Sequence, residues 1–319
     1  MWPKPFASAF WIGEWSFVVT QLPLIVDVKR HSLEDGPGIR SVVFFKGCPL
    51  SCSFCHNPEA QDPLVEIAFY PEYCIDCGLC ETVCEHNAIS ADRPNRIDRK
   101  HCLLCGVCTE ICPSQALQMV GRFYPVEDLV ELILRDRGFY RHSGGGVTLS
   151  GGECTLYPDY VGALLEALKS VNIHVVIETS GYFDYQAVQR RILPYVDLLY
   201  VDIKFADSEM HKRFTGKDNR PILTNIERLL QNGKIPAVLR IPLIPGVTAT
   251  RGNLFDIADF FREVKVAEAV LLPYNPLGLE KWPRIGKFKP DLPHHLMSED
   301  EIEELDRLFG SRLKKPVST

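Results

Sequence analysis

Eleven of the twelve cysteines in this 319-residue chain fall into three short groups, so the fold must gather each group around something that thiolates hold. The first group is Cys48, Cys52 and Cys55, spaced C-x3-C-x2-C within Gly47–Glu59. A cubane [4Fe-4S] cluster that only carries electrons takes four protein thiolates. Three leave one iron open to a small molecule, and an open metal site implies chemistry, by the logic that separates catalytic from structural zinc. The competing reading is a zinc site or three unrelated thiols. Zinc sites bring paired C-x2-C knuckles or histidines at set spacing, which this loop lacks.

The other two groups are halves of a duplication. Cys74, Cys77, Cys80 and Cys84 recur 28 residues later as Cys102, Cys105, Cys108 and Cys112, and Gly78/Gly106, Val83/Ile111 and Ala88/Ala116 keep the same offset. Each half reads C-x2-C-x2-C-x3-C and resembles the bacterial two-cluster ferredoxins, in which the fourth cysteine of each run ligates the other cluster. The resemblance implies one cluster on Cys74, Cys77, Cys80 and Cys112, and a second on Cys102, Cys105, Cys108 and Cys84. Pro113 follows the last cysteine as that pattern has it, whereas Glu85 stands in the place of the other proline.

Around this segment the chain alternates strand and helix, the pattern of a parallel sheet with crossover helices. Strands are expected at Ser41–Lys46, Gly146–Ser150, His174–Glu178, Leu198–Ile203, Val238–Ile244 and Ala269–Tyr274. Helices are expected at Val126–Arg137, Pro158–Ser170, Asp184–Leu193, Ile222–Gln231 and Asn253–Val264, with a last one opened by a Ser298/Glu301 capping box. Six β/α units are fewer than the eight of a closed barrel. The expected organisation is therefore an α/β partial (β/α)6 TIM-type barrel from residues 24–62 and 120–319. Residues 63–119 are expected to form an inserted ferredoxin-like α+β domain, and residues 1–23 an extension of unknown role.

Composition excludes more than it assigns. A net charge of −6 without clustered Lys and Arg speaks against nucleic-acid binding. No apolar run reaches the roughly 18 residues of a membrane span. Glu14 and Pro23 interrupt the apolar start, which is therefore not expected to be an export signal. Closely spaced, reduced thiols fit a cytoplasmic protein.

Function in β/α barrels collects at the carboxyl ends of strands. There the sequence places Ser150-Gly151-Gly152-Glu153, Glu178-Thr179-Ser180-Gly181, Asp202-Ile203-Lys204, Arg240 and Tyr274-Asn275. Phe54 before the third cysteine and the Gly-Gly-Glu element one unit later make the chain similar to the radical S-adenosylmethionine superfamily. The phrases Asp-Gly-Pro-Gly-Ile-Arg40, Cys55-His-Asn-Pro-Glu, Ser143-Gly-Gly-Gly-Val-Thr-Leu-Ser-Gly-Gly-Glu153 and Thr215-Gly-Lys-Asp-Asn narrow the resemblance to the activating enzymes of glycyl-radical enzymes.

That resemblance implies an open-site cluster on Cys48, Cys52 and Cys55, with Gly151, Gly152 and Glu153 at the methionyl amino group of S-adenosylmethionine. It also implies Thr179, Asp202 and Lys204 at the methionyl carboxylate, and, in at least one family member, a monovalent cation. Glu178 stands where that member has a shorter Asp. Phe54, His56 and Asn57 adjoin the cluster loop, while Arg240 and Asn275 complete the expected contacts. The implied activity is reductive cleavage to a 5'-deoxyadenosyl radical that takes hydrogen from a glycine of a partner enzyme, with electrons from a flavodoxin or ferredoxin-type donor. A radical enzyme acting on a metabolite or ribosomal peptide is the alternative. A non-catalytic polyferredoxin does not account for the three-cysteine loop. Cys154, the twelfth cysteine, reads as a buried inert thiol.

Overall fold

The computed structural model describes residues 22–313 apart from 265 and 267, so the amino-terminal extension lies almost wholly outside the described residues. β1 (Leu24–Ser32) turns through the Asp35–Gly38 segment into β2 (Arg40–Phe45), and the two pair antiparallel. β3 (Glu66–Phe69) and β4 (Leu117–Val120) pair only with each other. After β5 (Arg122–Phe123) come β6 (Gly146–Gly151), β7 (His174–Thr179), β8 (Leu198–Asp202), β9 (Ala237–Pro242) and β10 (Ala269–Leu272). The main sheet runs β10-β9-β8-β7-β6-β2-β1-β5 and is parallel from β2 to β10.

All six expected parallel strands are present. The antiparallel pair β1 and β5 extends the sheet beyond them, and β5 is two residues long, too short to leave a periodic signal. The helix Pro158–Ser170 buries Val161, Leu164, Leu165 and Leu168 completely, as its spacing predicts. Truncating any one of these leucines to Ala would cost about 2–5 kcal/mol. The expected helix Val126–Arg137 is instead two helices, Val126–Leu134 and Arg137–Ser143. Asp136, fully buried between them, accepts hydrogen bonds from Arg30 Nε (2.7 Å) and Ser41 Oγ (3.0 Å), which pulls its backbone out of the helical run. The last helix, Glu299–Leu313, opens on the expected capping box: Ser298 N donates to Glu301 Oε2 (2.8 Å) and Glu301 N to Ser298 Oγ (3.3 Å).

The duplicated segment keeps its own small core of Ile67, Phe69, Ile89, Ile97, Ala116 and Leu117, with cysteines packed around it. The repeat extends to the backbone. Asp76 and Leu104, Gly78 and Gly106, and Asn87 and Gln115 all have positive φ, each pair 28 residues apart. Leu104 has no intrinsic reason to be left-handed. It takes the conformation that its counterpart Asp76 takes, because both loops wrap a cysteine group in the same way.

Candidate active site

The three-cysteine loop leaves the carboxyl end of β2 and is tied down on both sides. Gly47 N donates to Ala60 O (2.8 Å) and Cys48 N to Gln61 O (3.0 Å). Ser51 N and Ser53 N donate to Thr215 O (2.8 Å) and Phe214 O (2.9 Å), so the Thr215–Asn219 phrase supports the loop from outside. Asn219 in turn donates from Nδ2 to Phe205 O (2.9 Å) and Ala206 O (2.7 Å). Phe54 is buried in the main core, where it anchors the loop. Lys46, fully buried just before the loop, donates from Nζ to Glu59 O (2.8 Å) and pairs with Glu66 Oε2 (2.7 Å), fastening the start of the duplicated segment.

β2 lies beside β6, whose end carries Gly151, Gly152 and Glu153. Both glycines are imposed by packing. A Cβ on Gly152 would lie 2.2 Å from Gly47 O and 2.5 Å from Ala60 O, and one on Gly151 would lie 2.4 Å from the Phe45 backbone. A Cβ at either position would push the backbone under Cys48 outward. The Glu153 carboxylate is fully buried and accepts from five groups: Thr155 N (3.4 Å), Thr155 Oγ1 (2.6 Å), Thr179 Oγ1 (2.8 Å), Ser180 N (2.9 Å) and Ser180 Oγ (2.6 Å). Thr179 thus faces Glu153 rather than Asp202.

A second cluster of polar groups crosses the ends of β6 to β9. Arg240 donates to Glu178 Oε1 (2.6 Å) and Asp202 Oδ1 (2.9 Å), and its guanidinium lies over the Tyr200 ring at 4.8 Å. Ser150 Oγ donates to the other Glu178 oxygen, and Lys204 Nζ lies 3.6 Å from Asp202. Burial pushes Asp202 up, but Arg240 and Lys204 outweigh it and hold the carboxyl below its usual range. Glu178, with less compensation, is raised by burial. Lys204 is raised overall, since Asp202 and the thiols of Cys52, Cys48 and Cys55 outweigh its burial.

Those thiols fit a metal cluster. Burial drives Cys52 up to about 12 and Cys48 and Cys55 upward as well. They ionise readily only when positive charge replaces their protons, which is what metal ligation does. In the duplicated segment, two cavities are ringed by cysteines. One is lined by Cys74, Cys77, Cys80 and Cys112, and the other by Cys84, Cys102, Cys105 and Cys108. Each draws its fourth sulfur from the opposite half, the division the ferredoxin pattern implies. Among the described residues no three His, Cys, Asp or Glu side chains group tightly enough for a single metal ion. Iron–sulfur clusters are broader, and their ligands stand around them.

The remaining expected residues take mixed places. Asn57 Oδ1 accepts from Lys281 Nζ (2.6 Å), and His56 packs against Gly278. Asn275 Oδ1 caps the following turn by accepting from Leu277 N (3.0 Å). Cys154 is fully buried, and burial holds its thiol well above the usual range. Sequence reasoning missed Trp282, whose Nε1 donates to Cys55 O (3.2 Å). Its one outward signal is that it is the only tryptophan among the described residues.

Fold and site together match known proteins. The model of the radical SAM superfamily matches residues 42–256. The chain is 42% identical over 291 residues to the trans-4-hydroxy-L-proline dehydratase activating enzyme of Clostridioides difficile, covering 90% of this chain and 96% of that protein. It is 39% identical over 275 residues to the benzylsuccinate synthase activating enzyme of Thauera aromatica, covering 84% and 83%. A radical SAM methyltransferase from Sphaerobacter thermophilus shares the fold at 14% identity, with a TM-score of 0.53 over 90% of this chain and 74% of that one. The chain belongs to the radical SAM superfamily. Within it, the chain groups with the activating enzymes of glycyl-radical enzymes, which cleave S-adenosylmethionine and install a radical on a partner. Among the described residues no helix is long and apolar enough to cross a membrane.

Proposed function

We propose that this chain holds three [4Fe-4S] clusters, one catalytic and two in a ferredoxin-like insert over residues 63–119, and activates one cognate glycyl-radical enzyme. The observation that carries the cluster count is the pair of four-cysteine cavities beside a separate set of three. When bound, the open-site cluster and S-adenosylmethionine supply reductive sulfonium cleavage to methionine and a 5'-deoxyadenosyl radical, which takes hydrogen from the partner's glycine. The relatives' activities favour this protein target over a metabolite or ribosomal peptide.

The chain's own residues position and shield. Cys48, Cys52 and Cys55 hold the cluster. Lys204 and Arg240 bring fixed positive charge to the side that receives the methionyl carboxylate. Gly151 and Gly152 keep the β6 end low against the loop, and Glu153 holds Thr179 and Ser180 beside it. Phe54, His56, Asn57 and Asn275 border the adenosyl side. Glu178 and Asp202 would flank a monovalent cation, but the Arg240 guanidinium already bridges them and supplies that charge. Exchanging sodium for potassium should therefore leave S-adenosylmethionine affinity unchanged by calorimetry, and a marked dependence would speak for a bound ion.

Incubated anaerobically with reductant, S-adenosylmethionine and its cognate partner, the protein should place a persistent carbon-centred radical on the partner polypeptide. Deuterium at the target glycine should appear in 5'-deoxyadenosine. Hydrogen taken only from a metabolite would favour the alternative reading. The insert clusters, each with four thiolates and no open iron, are read as a relay from a flavodoxin or ferredoxin-type donor in the cytoplasm. Replacing Cys74, Cys77, Cys80, Cys102, Cys105 and Cys108 should slow donor-driven turnover while a small strong reductant partly restores it. Equal loss with both reductants would point to a folding role instead.

A further inference from the structure

The three-cysteine loop and the cysteine-rich insert are both tied to one stretch that belongs to neither, residues 276–287 after β10. On the loop side, Trp282 Nε1 donates to Cys55 O (3.2 Å), and Lys281 Nζ donates to Asn57 Oδ1 (2.6 Å) and Glu59 Oε1 (2.8 Å). Lys287 Nζ adds Pro58 O and Gln61 Oε1, both at 3.2 Å. On the insert side, Arg284 pairs with Glu72, and its guanidinium stacks over Tyr70 at 4.8 Å. Arg99 Nη2, three residues before Cys102, donates back to Arg284 O (3.3 Å).

The contact is close. Gly286 has φ +74, a left-handed conformation that favours glycine, and a Cβ there would lie 2.1 Å from Arg99 Nε, so a side chain here would displace the Arg99 guanidinium. Ile285, 3% exposed, pins the middle against Ala68 and Val120 at the base of the β3–β4 sheet. Hydrogen bonds on one face and an ion pair, a cation–π contact and an apolar pin on the other give the stretch two independently anchored sides.

We propose that residues 276–287 form a clamp that fixes the three-cysteine loop against the insert, with Arg99, Arg284 and Gly286 as positioning residues for electron delivery between them. This rests on the reading that the insert carries clusters. A site held about 1 Å too loosely by its supporting residues loses much of its function. The clamp adds to the covalent links, which are the turn at 61–65 and the single residue Gly121 between β4 and β5, and to the buried Lys46–Glu66 pair; it is the part that ties Cys55 and Glu59 to Arg99 and Glu72.

The test uses the reconstituted full chain carrying Arg99→Ala with Arg284→Ala, and separately Gly286→Ala. Iron content should stay at about twelve per chain in both, as in the parent. Cleavage driven by a small reductant should change less than about twofold, while cleavage driven by flavodoxin should fall about tenfold or more. The magnetic coupling between the reduced catalytic-loop and insert clusters, read by electron paramagnetic resonance, should weaken in step. Unchanged coupling and an unchanged ratio between the two reductants would overturn the clamp. A parent chain that binds only about four irons would instead overturn the reading that the insert carries clusters.

Discussion

On the three-cluster reading proposed above, replacing Cys48, Cys52 and Cys55 together by Ala should remove about four of about twelve irons and abolish 5'-deoxyadenosine formation. On that reading the effect is all-or-none, because the other eight cysteines line two separate cavities in sets of four and neither set would leave an iron free for a substrate. The fold should survive. Cys52 is buried, but the loop around it is held by backbone hydrogen bonds from Gly47, Cys48, Ser51 and Ser53, which Ala keeps. Iron analysis and chromatography of the deoxyadenosine product check both halves of the expectation. A triple variant that still made deoxyadenosine would place catalysis elsewhere.

Arg240→Met should be the most damaging single change outside the cysteines. It leaves Glu178 and Asp202 facing each other in a part-buried site without the cation that bridges them, a loss of at most about 3–5 kcal/mol, the figure for a fully buried pair. The pH dependence should shift with it. In the parent, Asp202 has a folded pKa below its unfolded one, so its contribution is present above the unfolded value and is lost as pH falls through the folded value; Glu178, already raised by burial, acts in the opposite sense. Without Arg240, Glu178 loses its charged partner and burial lifts its folded pKa further, while Asp202 keeps only Lys204 against its burial. The variant therefore holds its protons to higher pH than the parent and loses stability more steeply as pH rises. Thermal denaturation between neutral and mildly acidic pH reads this directly. Parallel curves for parent and variant would show that Arg240 does not govern the two carboxyls.

The parallel sheet and the duplication were legible, because each leaves a periodic or repeated mark in the chain. What was not legible was direction. Thr179 and Asp202 end neighbouring strands and read as one carboxylate-binding group, yet Thr179 turns to Glu153 and Asp202 to Arg240. Strand order places residues side by side but does not say which way each side chain turns. Gly152 read only as part of the methionyl amino contact, and the reason for the glycine lies in the Gly47 and Ala60 carbonyls, which forbid a side chain there. Trp282 was invisible for a different reason: its partner, Cys55, is 227 residues away, and no local pattern announces so distant a hydrogen bond.

The interleaving of the two cysteine sets also bears on how the protein is made. The cavity that begins with Cys74 closes only with Cys112, and the one that begins with Cys84 waits for Cys102, Cys105 and Cys108. A ribosome that has released the first half has therefore finished neither site. Its four thiols stay without a complete partner set until the second half follows. If the segment carries the two proposed clusters, iron loading is thereby tied to completion of the repeat, and a chain broken between the halves would hold no finished cluster in this segment at all.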